Sequence, residues 1–477
     1  MKDLIIIISL MIFSCSPAQI NEQDAEIAKI DSLKVVKIDE IFSSFNNETP
    51  GCAVAIIQNG EIVFIKSYGM ADPKRKIPIT SETKFPIGSN TKQFTCMAIL
   101  LLEEQEKLKI DDPIRKYFPQ LPDFADSVTI KNLMQHTSGI IEYNPLLFLS
   151  GINKNECSLT NQDIIELISK YKKLSYRIGE QFLYTNSTYI LLAEIIEKVS
   201  QKTYAEFIKE NIFIPLKMEN SFVVTSSSDY KTSAMGFNYS GNYKPVNCPM
   251  ITTGGSGVIT TLKDLCKWIK NFDTHQLGKS GRLLVDKMQQ KGVLQNGDST
   301  KYGLGLFIDD YCGQKVYWHG GNITVYTSNI TIFPEQKTSI IVLSNTMELI
   351  PYEHRFDIAK VLFGACEMQP SDLFAEDELR KEFKKRKSEF TGQTADFSEY
   401  IGKYTVEGFG KYFEIVDNNG KLIAKIDNQE FQLKQVFKDT FASQPMIFEF
   451  QRNKHGKIIS ILLSGEKFRN LELTKNN

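Results

Sequence analysis

Two strand-forming stretches stand at opposite ends of a long helical tract, and they limit what most of this chain can fold into. Residues 52–57 and 62–68 are apolar and β-branched runs joined through Asn59 and Gly60, a pair suited to a two-residue turn that needs positive φ. Residues 316–318, 328–333 and 339–343 have the same character, with Pro334, Glu335, Gln336 and Lys337 turning the last two into a second hairpin. If both hairpins share one antiparallel sheet, the chain closes on itself around whatever lies between. That intervening tract reads as helical: residues 130–136, 161–171, 189–199, 203–212 and 262–272 carry apolar positions at helical spacing, separated by Gly, Pro, Asn and Ser. Helices are also expected over 25–45 and 352–363. The class is α+β, an antiparallel sheet flanked by helices with an all-helical lobe, and the boundary between sheet and lobe is a natural place for a binding cleft.

After Gly364 the character changes. Residues 377–389 form a run rich in Lys and Glu with little apolar face, a solvated linker. Beyond Phe397 strand follows strand, at 412–416, 421–426, 431–436, 446–450, 458–463 and 470–473, with turns at Asn418–Gly420 and Lys454–Gly456. This predicts a small C-terminal all-β barrel or sandwich without a chemical constellation of its own. The expected partition is a signal segment over 1–14, a main domain over 24–367, a linker over 368–395 and the β domain over 396–477.

The first residues read as a targeting signal. Lys2 precedes an apolar run over 4–13, then Ser14 and Cys15 with Ser16 and Pro17 after them. The run is too short to span a bilayer and fits a secretory segment. Ile12, Phe13, Ser14 and Cys15 resemble a bacterial lipoprotein box, which makes Cys15 a lipidation site. An exported, membrane-anchored protein facing the periplasm or cell surface is the expectation.

Charge excludes several partners. Lys and Arg total 56 against 57 acids, so nothing draws the chain to nucleic acid. The 8 Cys are scattered singly and the 5 His lie far apart, without HExxH or a Cys/His cluster, so neither a metal nor a cofactor is expected.

The chemistry-bearing stretch begins at Phe85. Gly88 and Ser89 mark where an extended segment turns into a helix, with Ser89 at the expected cap. Phe94, Met97, Ala98, Leu101 and Leu102 share one helical face, widened by Ile99 and Leu100 into a helix buried nearly all round. Lys92 is one turn beyond Ser89 on the same side, so its amine can reach the hydroxyl. Ser81, Ser169, Ser228 and Ser464 also have a Lys three residues later, but none of them opens a buried helix.

Downstream, Tyr184, Thr185 and Asn186 precede an apolar helix. Tyr184 can exchange a proton with Ser89 if a cation such as Lys92 holds it near its anionic form, and Asn186 offers a donor and an acceptor to a substrate amide. His319, Gly320 and Gly321 follow a strand; the glycines admit a substrate backbone. The Asn322 N–H can join that of Ser89 as an oxyanion pair, and His319 adds a switchable charge or a donor. Lys279, Ser280 and Gly281 are a rival to this segment, but no strand precedes them.

SxxK, then YxN, then HxG in this order resemble the penicillin-recognising serine hydrolases: class C β-lactamases, D-alanyl-D-alanine carboxypeptidases and their esterase relatives. Gln135 to Gly139 resembles the family's HTSG segment, and Gly254 to Val258 with Asp264, Leu265 and Trp268 resembles its GG-containing loop and following helix. The resemblance implies a β-lactamase/transpeptidase-like fold over the main domain, Ser89 as acylated nucleophile, Lys92 as its base or proton partner, and Tyr184 as proton shuttle. It also implies substrate contacts from Asn186, His319, Gly321 and Asn322, on a small-molecule or peptide substrate. Where β-lactamases usually have Lys-Thr-Gly, this chain has Gly320 in the Thr place and lacks a hydroxyl that helps hold a substrate carboxylate. That leaves a D-amino-acid peptide, a β-lactam or a small ester open as substrate, and the oligomeric state open as well. The competing reading is a non-catalytic sensor or scaffold that keeps the cleft. An α/β-hydrolase lacks its GxSxG elbow here.

Overall fold

The computed structural model describes residues 27–152, 158–239, 242–248, 250–349, 351–365, 396–443, 445–465 and 467–476. Cys15 and the charged run over 377–389 lie outside the described residues.

The two hairpins share one sheet. Its six strands run in the order Phe307–Tyr311, Gln314–Ile323, Tyr326–Phe333, Thr338–Ser344, Cys52–Gln58 and Glu61–Tyr68, every neighbouring pair antiparallel. Asn59 at φ 50 and Gly60 at φ 75 make the expected tight turn. The first and last strands of the main domain are paired in register, Ala55 opposite Ile341 and Val54 opposite Val342. Alternate residues feed opposite faces, which is why these strands are apolar throughout instead of alternating. Val54, Ile56, Ile340 and Val342 pack with Ile38 of the Ser32–Ile41 helix, Phe42 at its end and Ile358 of the Pro351–Phe363 helix. Ala53, Ala55, Ile341 and Leu343 face the other way, onto Trp268 and Ile269 of the Leu262–Thr274 helix.

The Thr91–Glu104 helix runs through the middle of the larger core, buried from Thr91 to Leu102. Around it stand the helices Ile130–Met134, Tyr143–Ser150, Asn161–Lys170, Asn186–Ser200 and Tyr204–Ile208. Sequence periodicity finds most of these but not Tyr143–Ser150, and it starts the first helix too early: Ala28 is still extended and bridges to Phe64.

The C-terminal region is a nine-stranded antiparallel sheet. Its two end strands, Gln429–Gln432 and Lys434–Phe437, are separated by Leu433 alone, so connectivity curls the sheet into a near-closed barrel. Tyr404, Phe413, Phe441, Phe448 and Phe450 fill it, and Ile141, Leu146, Leu149 and Tyr171 of the helical lobe belong to the same apolar cluster. The barrel is thus packed against the lobe.

Candidate active site

Ser89 sits at a joint held from two sides. The Lys84–Pro86 strand pairs with Val258–Thr261, the Ile87 N–H donates to the Val258 carbonyl at 3.1 Å, and the Ser328 hydroxyl donates to the Ile87 carbonyl at 2.8 Å. One 3-10 turn, Gly88–Asn90, then leads into the helix. Ser89 therefore stands in the turn before the helix and not at its cap, which is Asn90. The reason is local: the Ser89 hydroxyl is engaged by Lys92 Nζ at 3.1 Å and is not available for capping. Gly88, at φ 51, would carry a Cβ only 2.8 Å from the Asn322 nitrogen, so the missing side chain lets the strand bearing Gly320, Gly321 and Asn322 press against the turn. Gly321 has the same constraint from the other side, its absent Cβ falling 1.9 Å from the Ile87 carbonyl oxygen.

Lys92 is fully buried with three oxygen partners: Ser89 Oγ at 3.1 Å, Asn186 Oδ1 at 2.9 Å and the Gly255 carbonyl at 2.9 Å. Burial lowers its pKa from 10.5 to about 7; the Glu142 carboxylate opposes the fall and Lys467 adds to it. A neutral amine has two N–H bonds and one lone pair. The Asn186 oxygen and the Gly255 carbonyl can only accept, so they take both N–H bonds. The lone pair is left facing Ser89, whose hydroxyl becomes the donor.

Tyr184 is hydrogen-bonded to Ser89, and the Lys92 ammonium lies 4.8 Å from its ring centroid. The nearby cation does not bring it toward the phenolate. Burial pushes the phenol pKa well up, the Ser89 hydrogen bond pulls it down and Glu142 raises it again. Tyr184 is therefore a protonated phenol near neutrality, a donor where the sequence suggested an anion. His136 packs against it, tilted, with ring centroids 4.4 Å apart, and accepts the Thr185 N–H at Nδ1, 3.2 Å away. Burial, then the charges of Lys92 and His319, hold His136 well below the ordinary histidine value.

Asn186 opens the helix behind Tyr184, and its amide is committed within the protein. Oδ1 accepts from Lys92, while Nδ2 points to Glu142 Oε1 at 3.5 Å. The Asn186 N–H donates to Glu142 Oε2 at 2.6 Å, setting a buried carboxylate at a helix N-terminus, where negative charge is favoured. Sequence reasoning missed Glu142. Its signal was a lone acid inside the apolar run Ile140, Ile141 and Tyr143.

His319 comes to the same place, its ring centroid 6.0 Å from that of Tyr184. It is not a switchable charge. Burial and Lys92 lower its pKa to about 3, against a smaller opposing effect of its bond to Gly320. Its Nδ1 lies 2.6 Å from the Gly320 carbonyl, an acceptor, so Nδ1 carries the proton. Nε2 then accepts from the Tyr302 hydroxyl at 3.1 Å. Both ring nitrogens are occupied.

The groups form two layers. Ser89, Tyr184, Asn186, Gly320 and Gly321 are half-buried and Asn322 is exposed, whereas Lys92, His136, Glu142 and His319 are buried beneath them. A hydroxyl held against a buried amine of near-neutral pKa, on an antiparallel sheet with a helical lobe, is an arrangement suited to activating a serine nucleophile.

The chain belongs to the Beta-lactamase family, whose pattern matches residues 38–362. It is 28% identical over 316 residues to Protein flp of Staphylococcus aureus (strain MW2), covering 63% of this chain and 61% of that protein. Penicillin-binding protein 4* of Bacillus subtilis (strain 168) is 27% identical over 393 residues, 79% of this chain and 84% of the relative. The solved structure of an octameric penicillin-binding protein homologue from Pyrococcus abyssi is similar over 93% of this chain and 98% of its own, with a TM-score of 0.60 and 25% identity. That similarity extends through the C-terminal barrel.

Proposed function

We propose that this chain is a cell-envelope hydrolase that forms an acyl-enzyme on Ser89, cleaving an amide or ester in a D-amino-acid peptide, a β-lactam or a small ester. One observation carries the reading: a buried amine whose pKa is lowered to about 7 stands 3.1 Å from the Ser89 hydroxyl, with its other two partners able only to accept. Lys92 takes the Ser89 proton as Oγ attacks the carbonyl carbon. The Ser89 and Asn322 N–H groups receive the oxyanion, and the Tyr184 phenol donates to the leaving group. The Lys92 ammonium returns its proton to the Tyr184 phenolate, and the neutral amine then takes a proton from the water that attacks the acyl-enzyme and passes it to Ser89 Oγ as the ester bond breaks. The name of the Bacillus relative, a penicillin-binding protein, supports a β-lactam among these substrates.

Export rests on two features. One is the apolar run ending at Cys15, and the other is Cys312, which is disulfide-bonded and so suits an oxidising compartment.

Replacing Ser89 by Ala is expected to abolish turnover of a chromogenic ester while leaving the urea unfolding midpoint in place. Residual burst or steady-state release by Ser89→Ala would move the nucleophile elsewhere. Cys15→Ser is expected to shift the protein from the membrane to the soluble fraction, and unchanged fractionation would remove the lipid anchor.

A further inference from the structure

Tyr184, the proton donor of the proposed reaction, has no regular element of its own to hold it. Residues 181–185 belong to neither helix nor strand, and the next helix begins at Asn186. A phenol that must meet both Ser89 and a departing oxygen needs its backbone fixed from elsewhere.

His136 fixes it from both sides. It follows the short Ile130–Met134 helix, one residue beyond the C-cap Gln135, with φ 57. That left-handed place favours Gly or Asn, so backbone preference does not account for a histidine there. The His136 carbonyl accepts the Leu183 N–H at 3.0 Å, and its ring Nδ1 accepts the Thr185 N–H at 3.2 Å. The residues immediately before and after Tyr184 are thus tied to one residue, whose ring lies against the Tyr184 ring at 4.4 Å between centroids. The carbonyl is itself pinned by the Tyr176 hydroxyl, which donates to it at 3.1 Å. Thr188 Oγ1 also lies 3.4 Å from Nδ1, but its single hydrogen has a nearer acceptor in the Thr185 carbonyl at 3.1 Å, so the amide is the donor that Nδ1 takes.

The other ring nitrogen tells against a histidine that serves packing alone. With Nδ1 accepting, the neutral ring carries its hydrogen on Nε2. That N–H is buried without a hydrogen-bond partner among the described residues, enclosed by the rings of Tyr189, Tyr302 and Phe182 at 5.0, 4.8 and 5.9 Å. An unpaired buried donor costs stability, and the nitrogen that is used is the one that holds Thr185.

Resting on the hydrolase reading, we infer that His136 is a positioning residue of the Ser89 reaction: its Nδ1 and its carbonyl clamp the backbone on either side of Tyr184 and so aim the phenol at the leaving-group oxygen. As the tetrahedral intermediate collapses, the carbon–oxygen bond breaks with its electron pair going to the departing oxygen. The phenol proton passes to that oxygen, and the phenolate left behind is reprotonated by Lys92.

The test uses two esters of one acyl group, p-nitrophenyl butyrate and ethyl butyrate, in the full-length protein. Nitrophenolate departs without a proton, whereas ethoxide needs one, so the ethyl ester reads the aim of Tyr184. In His136→Phe, which keeps a ring without an acceptor, the ratio of kcat/KM on the ethyl ester to that on the nitrophenyl ester should fall about thirtyfold. His136→Asn, whose Oδ1 can accept in place of Nδ1 and which tolerates the left-handed backbone, should hold the ratio within about threefold of wild type. Tyr184→Phe should lower the ratio by itself, and adding His136→Phe to it should lower it by less than about twofold more, because the two act as one unit. An unchanged ratio in His136→Phe, an equal loss on both esters, a multiplicative loss in the double variant, or His136→Asn no better than His136→Phe overturns the assignment. Should the urea transition show that His136→Phe does not fold, the wild-type ring decides: ring-nitrogen NMR is expected to place the hydrogen on Nε2, and a hydrogen on Nδ1 overturns the clamp. Failure of the underlying reading looks different: Ser89→Ala would turn over the nitrophenyl ester as wild type does, or wild type would turn over neither ester, and the proposal would fall with it.

Discussion

The charge that tunes the base can be altered without touching the base. Glu142→Gln keeps an oxygen for the Asn186 N–H, now held at 2.6 Å by Oε2, while removing the negative charge that opposes the fall of the Lys92 pKa. Lys92 Nζ and Glu142 Oε1 lie on either side of one Asn186 amide, at 2.9 Å from Oδ1 and 3.5 Å from Nδ2. Two charges separated by one such amide, on the order of 7 Å, interact by about 2 kcal/mol at an effective dielectric near 20. At about 1.36 kcal/mol per pH unit, the amine's pKa drops by between about one and two. The free-enzyme pH profile reports it: kcat/KM for a chromogenic ester should rise with pH in wild type through an inflection near 7, because the neutral amine is the base. In Glu142→Gln the inflection should lie about one to two pH units lower, with a plateau reduced several-fold since a weaker base accepts the proton less readily. An inflection that stays put, or moves upward, would refute the assignment of Lys92 as the titrating base.

Two further perturbations read other parts of the same structure. Between pH 7 and 10.5 the unfolded chain holds a proton on Lys92 that the folded chain has released. Wild-type stability should therefore rise with pH across that window, by up to about 5 kcal/mol relative to Lys92→Met, the penalty being complete below pH 7. Urea midpoints of the two proteins at pH 7 and pH 10 measure it, and parallel changes would show that Lys92 is not charged at a cost. Gly321→Ala forces a Cβ to within 1.9 Å of the Ile87 carbonyl and 2.4 Å of Ser328 Oγ, so the strand must retreat from the Ser89 turn. A loss of about 1–3 kcal/mol with collapse of ester turnover is expected, whereas Gly320→Ala meets nothing nearer than 3.8 Å and should keep its thermal midpoint.

Features fixed by short-range chemistry were legible in the sequence. The Asn59–Gly60 turn determines its hairpin, and the burial of the Thr91–Glu104 helix follows from its apolar faces. Ser89 and Lys92 meet because one helical turn separates them. What escaped depends on partners distant in the chain. Glu142 has no local pattern; its meaning comes from the N-terminus of a helix beginning at Asn186. The neutrality of His319 depends on burial and on the charge of Lys92, which lies far away in the chain, and composition reveals neither. Tyr143–Ser150 is short and carries Pro145, so periodicity alone is weak, and its helix is secured by packing against the C-terminal barrel through Leu146 and Leu149.

The buried layer imposes its own order of protonation. The Lys92 charge lowers the pKa of both His136 and His319, and a charge on His319 lowers that of His136 further. They compete for one proton, and the amine at about 7 holds it against an imidazole at about 3. Glu142 decides the contest further, since it raises Lys92 and is held beside it by Asn186. Both histidines are then neutral whenever the enzyme is active, which leaves the His319 Nε2 free to accept from Tyr302 and the His136 Nδ1 free to accept from Thr185. Protonating either ring would break the hydrogen bond that orients it. The acid limb should accordingly fall with unit slope, since one proton, the one on Lys92, separates the resting site from the reactive one.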